Sequence, residues 1–114
     1  MNQDINTGAV RVLREYTGRG PTHARTVIDR NSVTILFADT LTTPERRLAE
    51  NGKADQVIST RHELQELMRD DLVKVVEDAL DRTVIAFMSN NHIDPDMGVE
   101  VFVLEPLPGA PTGR

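Results

Sequence analysis

A chain of 114 residues is long enough for one domain with a hydrophobic core of its own. It contains no cysteine, which excludes disulfides, thiol nucleophiles and thiolate metal sites and fits a cytoplasmic protein. A net charge of -5, 4% aromatic residues and the lack of a long apolar run predict neither a nucleic-acid partner nor direct membrane insertion.

The first elements are a helix and a β-hairpin. Apolar residues recur at helical spacing, and Gly18 follows as a left-handed cap: Ile5, Ala9, Val12, Leu13, Tyr16. Two glycines and a proline then make a loop over residues 18–21. Residues 25–29 and 32–38 are rich in β-branched and apolar residues and flank the turn-forming pair Arg30-Asn31, so they predict a hairpin.

Two helices follow. Thr42 with Glu45 fits a capping box, while Thr43 with Pro44 fits the alternative of a cap and a first-turn proline, and this short helix ends near residues 51–52. From Ala54 helical spacing continues almost to Arg82. Such a helix would be on the order of 40 Å long, so we expect a kink near residues 70–71 or a protruding end.

Residues 83–88 and 98–104 predict two more strands, joined by a polar loop from Ser89 to Gly98 at a sheet edge. The Pro- and Gly-rich residues 106–114 predict a disordered tail after a single domain over residues 1–105. The element order is α-β-β-α-α-β-β. It predicts an α+β fold in which a four-stranded antiparallel sheet, made of two hairpins, is covered on one face by helices.

Five segments spread over nearly the whole chain resemble the MpsC-like family: Tyr16–Pro21, Asp39–Thr42, Gln65–Arg69 with Asp71-Leu72, Ala86–Asp96 and Glu100–Leu104. The resemblance implies a small cytoplasmic protein associated with a sodium-translocating, membrane-potential-generating system. It brings no catalytic residues. Many members of that family end the long helix with Gly-Arg, whereas this chain has Asp81-Arg82.

The loop after the third strand offers His92, Asp94 and Asp96, which together could bind Mg²⁺, Mn²⁺ or Ca²⁺. A calcium-loop pattern fails, since Ile93, Pro95 and Met97 stand where acidic ligands belong. Ser89, His92 and Asp94 contain the residue types of a catalytic triad but lack a nucleophile turn and an oxyanion hole. Turn chemistry explains every residue, so we predict a solvated turn, no cofactor and no catalytic group.

The loop from Gly18 to Arg25 could present backbone N–H groups and side chains to an anion: Arg19, Gly20, His23, Arg25. It lacks the glycine spacing and the closing Lys-Ser/Thr of a P-loop, and it lacks the GxxG turn of a KH clamp. A helix cap followed by a rigid turn is the favoured interpretation. Anion binding is the alternative.

On the long helix, charged residues including Arg61 alternate in sign and predict a solvated face, with His62 exposed on it and Gln65 available to a partner. Its apolar stripe is longer than one small sheet can cover, which predicts a twofold homodimer. The interface or core candidates on this helix are Leu64, Leu67, Met68 and Leu72.

Two functional hypotheses follow. We prefer a non-enzymatic regulatory or accessory protein that associates with a membrane cation or bicarbonate transport system. The alternative is a small-ligand or anion sensor that uses the loop from Gly18 to Arg25.

Overall fold

The computed structural model describes residues 2–108 and contains three helices and four strands in that range. The helices are α1 (Asn2–Thr17), α2 (Thr43–Glu50) and α3 (Ala54–Leu80). The strands are β1 (His23–Ile28), β2 (Ser32–Ala38), β3 (Val84–His92) and β4 (Met97–Leu104). The predicted fold class and element order are confirmed. Residues 109–114, where most of the predicted tail lies, fall outside the described residues.

The sheet is antiparallel throughout, with strand order β1-β2-β4-β3. The helices lie on one face, where α1 packs over β1, α3 packs over β3, and the two helices contact each other. Alternating residues of β4 are buried beneath them, whereas the residues between are only half-buried. The opposite face of the sheet, which we call the outer face, is covered by no element of residues 2–108.

Two glycines explain how α1 fits into this layer. Gly18 ends the helix in the left-handed conformation (φ 78°), and its N–H donates to the Arg14 carbonyl at 2.9 Å, as its predicted capping role requires. At Gly8 a Cβ would come within 2.7 Å of a Val75 methyl group, so the missing side chain lets α1 approach α3 closely.

The start of α2 settles the two predicted alternatives in favour of the capping box. Thr42 is the N-cap, its hydroxyl accepts from the Glu45 N–H, and the Glu45 carboxylate accepts from the Thr42 N–H at 2.8 Å. Pro44 lies in the first turn, where a missing N–H removes no helical hydrogen bond.

The long helix α3 runs uninterrupted for 27 residues, straight through Asp70 and Asp71. The molecule is correspondingly elongated, with extents of 53 × 25 × 22 Å. The helix ends at Asp81 in the left-handed conformation (φ 54°), with its N–H on the Glu77 carbonyl at 2.8 Å. Asp81 thus occupies a conformation that glycine adopts at lower cost.

The predicted loop from Ser89 to Gly98 is wrong in its extent. Strand β3 continues to His92 and β4 begins at Met97, so only four residues connect them. Polar side chains do not prevent pairing here, because the backbones of Ser89 and Asn91 pair with Glu100 and Gly98 of β4. The first hairpin likewise begins two residues before the predicted start, at His23.

The main core lies between the helices and the inner face of the sheet. It contains residues from both long helices and from the two central strands: Ile5, Ala9, Val12, Leu13, Val33, Ile35, Phe37, Met68, Leu72, Val76, Phe102, Leu104. Phe87 packs on Phe102 with ring centroids 5.2 Å apart. Because this core sets which side of α3 faces inward, it also sets which polar side chains of α3 are buried.

Candidate functional site

The buried stripe of α3 changes character along its length. Its residues follow helical spacing and are, in order, Val57, Arg61, Gln65, Met68, Leu72 and Val76. The second half is aliphatic and packs into the core. The first half buries a guanidinium and an amide, and each of these groups needs hydrogen-bond partners in the interior.

Arg61 is only 2% exposed and is held by α2 and the loop before it. Its Nε donates to Glu45 Oε2 at 2.9 Å and its Nη2 to Glu45 Oε1 at 2.8 Å, a bidentate ion pair. Nη2 also donates to the Thr40 carbonyl. The same Glu45 carboxylate closes the capping box of α2, so one ion pair fixes the start of α2 against α3.

Asp96 joins the β3–β4 connection to the same loop. Its Oδ1 accepts from the Thr40 N–H at 3.0 Å and the Thr40 hydroxyl at 2.9 Å, and its Oδ2 accepts from the Leu41 N–H at 2.9 Å. Nearby, Asp39 pairs with Arg19 at 2.6 Å and with Arg46. We call Thr40, Glu45, Arg61 and Asp96 the polar end of the molecule.

A second buried chain of hydrogen bonds runs from β3 through α3 to β4. Asn91 Nδ2 donates to Gln65 Oε1 at 2.7 Å, and Gln65 Nε2 donates to Glu100 Oε1 at 3.0 Å. Glu100 is 1% exposed, and its Oε2 has no hydrogen-bond partner. Burial raises the pKa of Glu100 to about 8, against the smaller lowering effects of Gln65 and Arg61. Glu100 is therefore protonated at neutral pH.

The chemistry that these two clusters can perform is limited by their own pairing. Arg61, Glu45 and Asp96 are each bonded to neighbouring protein groups, and the Glu100 carboxyl is sealed under α3. Residues 2–108 contain no group of three His, Asp or Glu side chains that could hold a metal ion. Both clusters position helices and strands rather than presenting groups to solvent.

The outer face is the side of the sheet that the helices leave uncovered. Alternation places these side chains on it: His23, Arg25, Val27, Ser32, Thr34, Leu36, Ala38, Ala86, Met88, Asn90, His92, Met97, Val99, Val101, Val103. Met88 is 54% exposed, Val27 49% and Leu36 38%. Arg25 is its one charged residue within the described range.

A basic groove of about 610 Å³ lies between α1 and the start of β1. Its polar lining includes Asn6, Arg11, Arg14, Thr22 and His23, and no acidic residue of the described chain lines it. In a protein of net charge -5, this groove is a local positive surface.

The family model of MpsC, described as a Na⁺-translocating membrane potential-generating system, matches residues 1–106. The chain belongs to the MpsC family. No curated protein and no solved structure matches it. Within residues 2–108, no helix of this MpsC-family chain has the length and apolarity needed to cross a bilayer.

In this MpsC-family chain the residues of the alternative anion site in the loop from Gly18 to Arg25 do not converge. Arg19 is engaged by Asp39, whereas Arg25 projects from the outer face of β1. His23 lines the basic groove, and the Arg14 guanidinium lies over Gly20, 3.0 Å from where a Cβ would be. The positive side chains that could bind an anion therefore lie on α1 rather than in the loop.

The three loop side chains considered as metal ligands do not form one cluster in the described chain. Asp96 turns inward to the backbone of residues 40–41, while His92 Nδ1 lies 2.8 Å from the Pro95 carbonyl. Asp94 and Asp96 both line the hollow between α2 and the connection, and His92 does not line it. The predicted helix candidates divide as well: Met68 and Leu72 lie in the core, Leu64 packs at its margin, and Leu67 is 66% exposed.

The sequence interpretation missed the buried polar groups. Arg61 was predicted on a solvated face and is buried, and Glu100 was not singled out. A signal for both exists in the sequence. Arg61 falls four residues after Val57, on the same stripe, and Glu100 alternates with Phe102 and Leu104, which marks it as facing the core.

Proposed function

We propose that this MpsC-family chain is a non-enzymatic accessory protein that acts through protein contacts in a membrane cation or bicarbonate transport system. One observation carries the proposal: the outer face, an apolar surface spanning all four strands that no helix of the described chain covers. Contiguous apolar surfaces of this kind mark sites of association. The family description supports the kind of system in which that association occurs.

The internal pairing of the charged groups also supports an accessory role. A catalytic centre needs a reactive group that a substrate can reach, in a pocket with a suitable base or acid beside it. Arg61, Glu45 and Asp96 are committed to holding the polar end, and Glu100 is sealed in the core. Contact with another protein is the function that the exposed surface favours.

The test is purification of the tagged protein from detergent-solubilised membranes of its native cell, with mass spectrometry of membrane and soluble fractions. We expect a multi-span cation or bicarbonate transport protein to co-purify with the wild-type chain. Deleting the gene should lower the Na⁺-dependent membrane potential, measured with a potential-sensitive dye. An unchanged potential and no enriched transport protein would contradict the proposal.

The basic groove favours a second candidate function, an anion sensor. Arg11 and Arg14 stand one helical turn apart on α1, and His23 also lines the groove, a set of side chains suited to phosphate or carboxylate. Inorganic phosphate should then raise the melting temperature of the wild type and of Arg25→Ala, but not that of Arg14→Ala. Equal phosphate responses in all three proteins would remove this candidate.

A further inference from the structure

The outer face is built in rows that run across the sheet. Residues paired between neighbouring strands place Arg25, Leu36, Val99 and Asn90 in one row. The next row on this face contains Val27, Thr34, Val101 and Met88, and a third contains Ser32, Val103 and Ala86 without a residue of β1. On the other side of the Arg25 row, a fourth row contains His23, Ala38, Met97 and His92. Whatever covers the face must match these rows.

A second copy of the chain matches them under one twofold arrangement. Rotation about an axis that lies between β2 and β4 and runs parallel to the strands superposes each row on itself in reverse order. Arg25 then faces Asn90 of the other copy, and Leu36 faces Val99. In the next row Val27 faces Met88. Thr34 and Ser32 face Val101 and Val103. The one charged residue thus meets a neutral amide and no second charge, and the larger apolar side chains meet one another, so the face is self-complementary in charge and in its larger apolar residues.

The alternative twofold axis, in the plane of the sheet but perpendicular to the strands, lacks this match. It places β1 over β1 of the second copy and brings the two Arg25 side chains toward each other. Like charges brought together at an interface disfavour association. The single charge on the face therefore selects the parallel axis.

The size of the face also fits a small dimer. Four strands of six to nine residues, spaced about 4.8 Å apart with a rise of about 3.3 Å per residue, cover roughly 500 Å² per copy. Two copies bury roughly 1,000 Å² or more, which reaches the lower bound for a specific protein interface. A weak, concentration-dependent dimer is the expected result.

We propose that the outer face is covered by a second copy of this chain, in a twofold dimer whose axis runs parallel to the strands. Two sheets pack face to face and the helices lie outside, giving four layers in the order α-β-β-α. The inference rests on the proposed function in one respect, that the chain works by protein contact. The dimer is the first of those contacts, and it leaves the helical surfaces free for a transport partner.

Sedimentation equilibrium of the whole chain, over micromolar to submillimolar concentrations, tests the dimer. The wild type should approach twice 12.7 kDa with rising concentration. Leu36→Lys on the outer face should stay monomeric, whereas the matched variant Leu67→Lys, on the exposed side of α3, should still dimerise. Circular dichroism confirms that both variants are folded.

A charge exchange tests the axis. Asn90→Lys places a second cation opposite Arg25 and should weaken the dimer by roughly tenfold or more. Adding Arg25→Glu should restore it, because the new charges then attract across the interface. Arg25 and Asn90 lie on opposite edge strands of one sheet, so rescue within a single copy is excluded by distance.

A wild-type chain that stays monomeric overturns the inference, as does a dimer that Leu67→Lys abolishes and Leu36→Lys leaves intact. Failure of the double variant to recover overturns the parallel axis. These failures are distinct from failure of the proposed function. A monomer that co-purifies with a transport protein refutes the dimer alone, and a dimer without a transport partner or a membrane-potential effect refutes the function alone.

Discussion

The two halves of α3 face the same sheet with opposite chemistry. Its second half buries Met68, Leu72 and Val76 among aliphatic and aromatic neighbours, whereas its first half buries Arg61 and Gln65 among carboxyl, carbonyl and amide groups. The apolar half is stabilised by the area that it removes from water. The polar half gains less from burial and depends on every partner being present. The two halves should therefore respond differently to substitution and to pH.

The largest effect is expected at the polar end. Arg61→Ala leaves the Glu45 carboxylate and the Thr40 carbonyl without their buried partner, and should lower the free energy of unfolding by about 4 kcal/mol. Urea unfolding measures it. Arg69→Ala, at an exposed ion pair on the same helix, is the control and should cost less than about 1 kcal/mol. Similar losses in both variants would show that the buried pair has no special role.

Glu100 makes the polar half sensitive to pH. Its pKa is about 8 in the folded protein, against an ordinary value of 4.5, so the unfolded chain loses this proton first as pH rises. The free energy of unfolding should fall by several kcal/mol, about 1.4 kcal/mol for each pH unit between those values, and then level off. Glu100→Gln, which mimics the protonated acid, should abolish that fall.

Urea unfolding at acid, neutral and alkaline pH measures this dependence. Glu66→Gln, at an exposed glutamate of α3, is the matched control and should leave the fall in place. An identical pH dependence in the wild type and Glu100→Gln would show that Glu100 is ionised in the folded protein.

In the apolar half, Leu72→Ala should cost about 3 kcal/mol, because Leu72 is completely buried and its truncation leaves a cavity. Because the burial of an aliphatic side chain involves no titratable group, the loss should be the same at acid and alkaline pH. A loss that varied with pH would mean that the two halves of α3 are energetically coupled. Leu67→Ala, at an exposed position, should change stability by less than about 0.5 kcal/mol.

Asp96 tests whether the β3–β4 connection serves structure or metal binding. Asp96→Ala removes the acceptor for two backbone N–H groups and one hydroxyl, and should cost about 2 kcal/mol in thermal or urea unfolding. Asp94→Ala should be nearly neutral. Mg²⁺, Mn²⁺ and Ca²⁺ should leave the wild-type melting temperature unchanged, and a saturable increase with one cation that Asp96→Ala removes would contradict the structural role.

The smallest effect is expected where α3 ends. Asp81 holds a left-handed conformation that glycine adopts at lower cost, so Asp81→Gly should raise the free energy of unfolding by about 0.5 to 1 kcal/mol. Asp70→Gly, in the middle of the same helix, should lower it. Destabilisation by Asp81→Gly would show that the Asp81 side chain contributes more than its backbone conformation costs.

Much of the fold was predictable because its signals are local. The spacing of apolar residues in α1 and α3, the Thr42–Glu45 capping box and the left-handed Gly18 each depend on a few neighbouring residues. Strand ends were predicted less well. Pairing with β4 extends β3 through polar residues to His92, and pairing is a property of two distant segments.

Local patterns in the chain are enough to specify the fold class, the order of the elements and the family, since periodicity, caps and motifs each involve residues close together in the chain. Which polar residues are buried and which surface stays open depends instead on how distant segments pack together. Arg61 and Glu45 are 16 residues apart, and Gln65 and Glu100 are 35 apart, so neither pairing has a local signal. The outer face exists because both long helices pack on the same side of the sheet, which no single segment specifies.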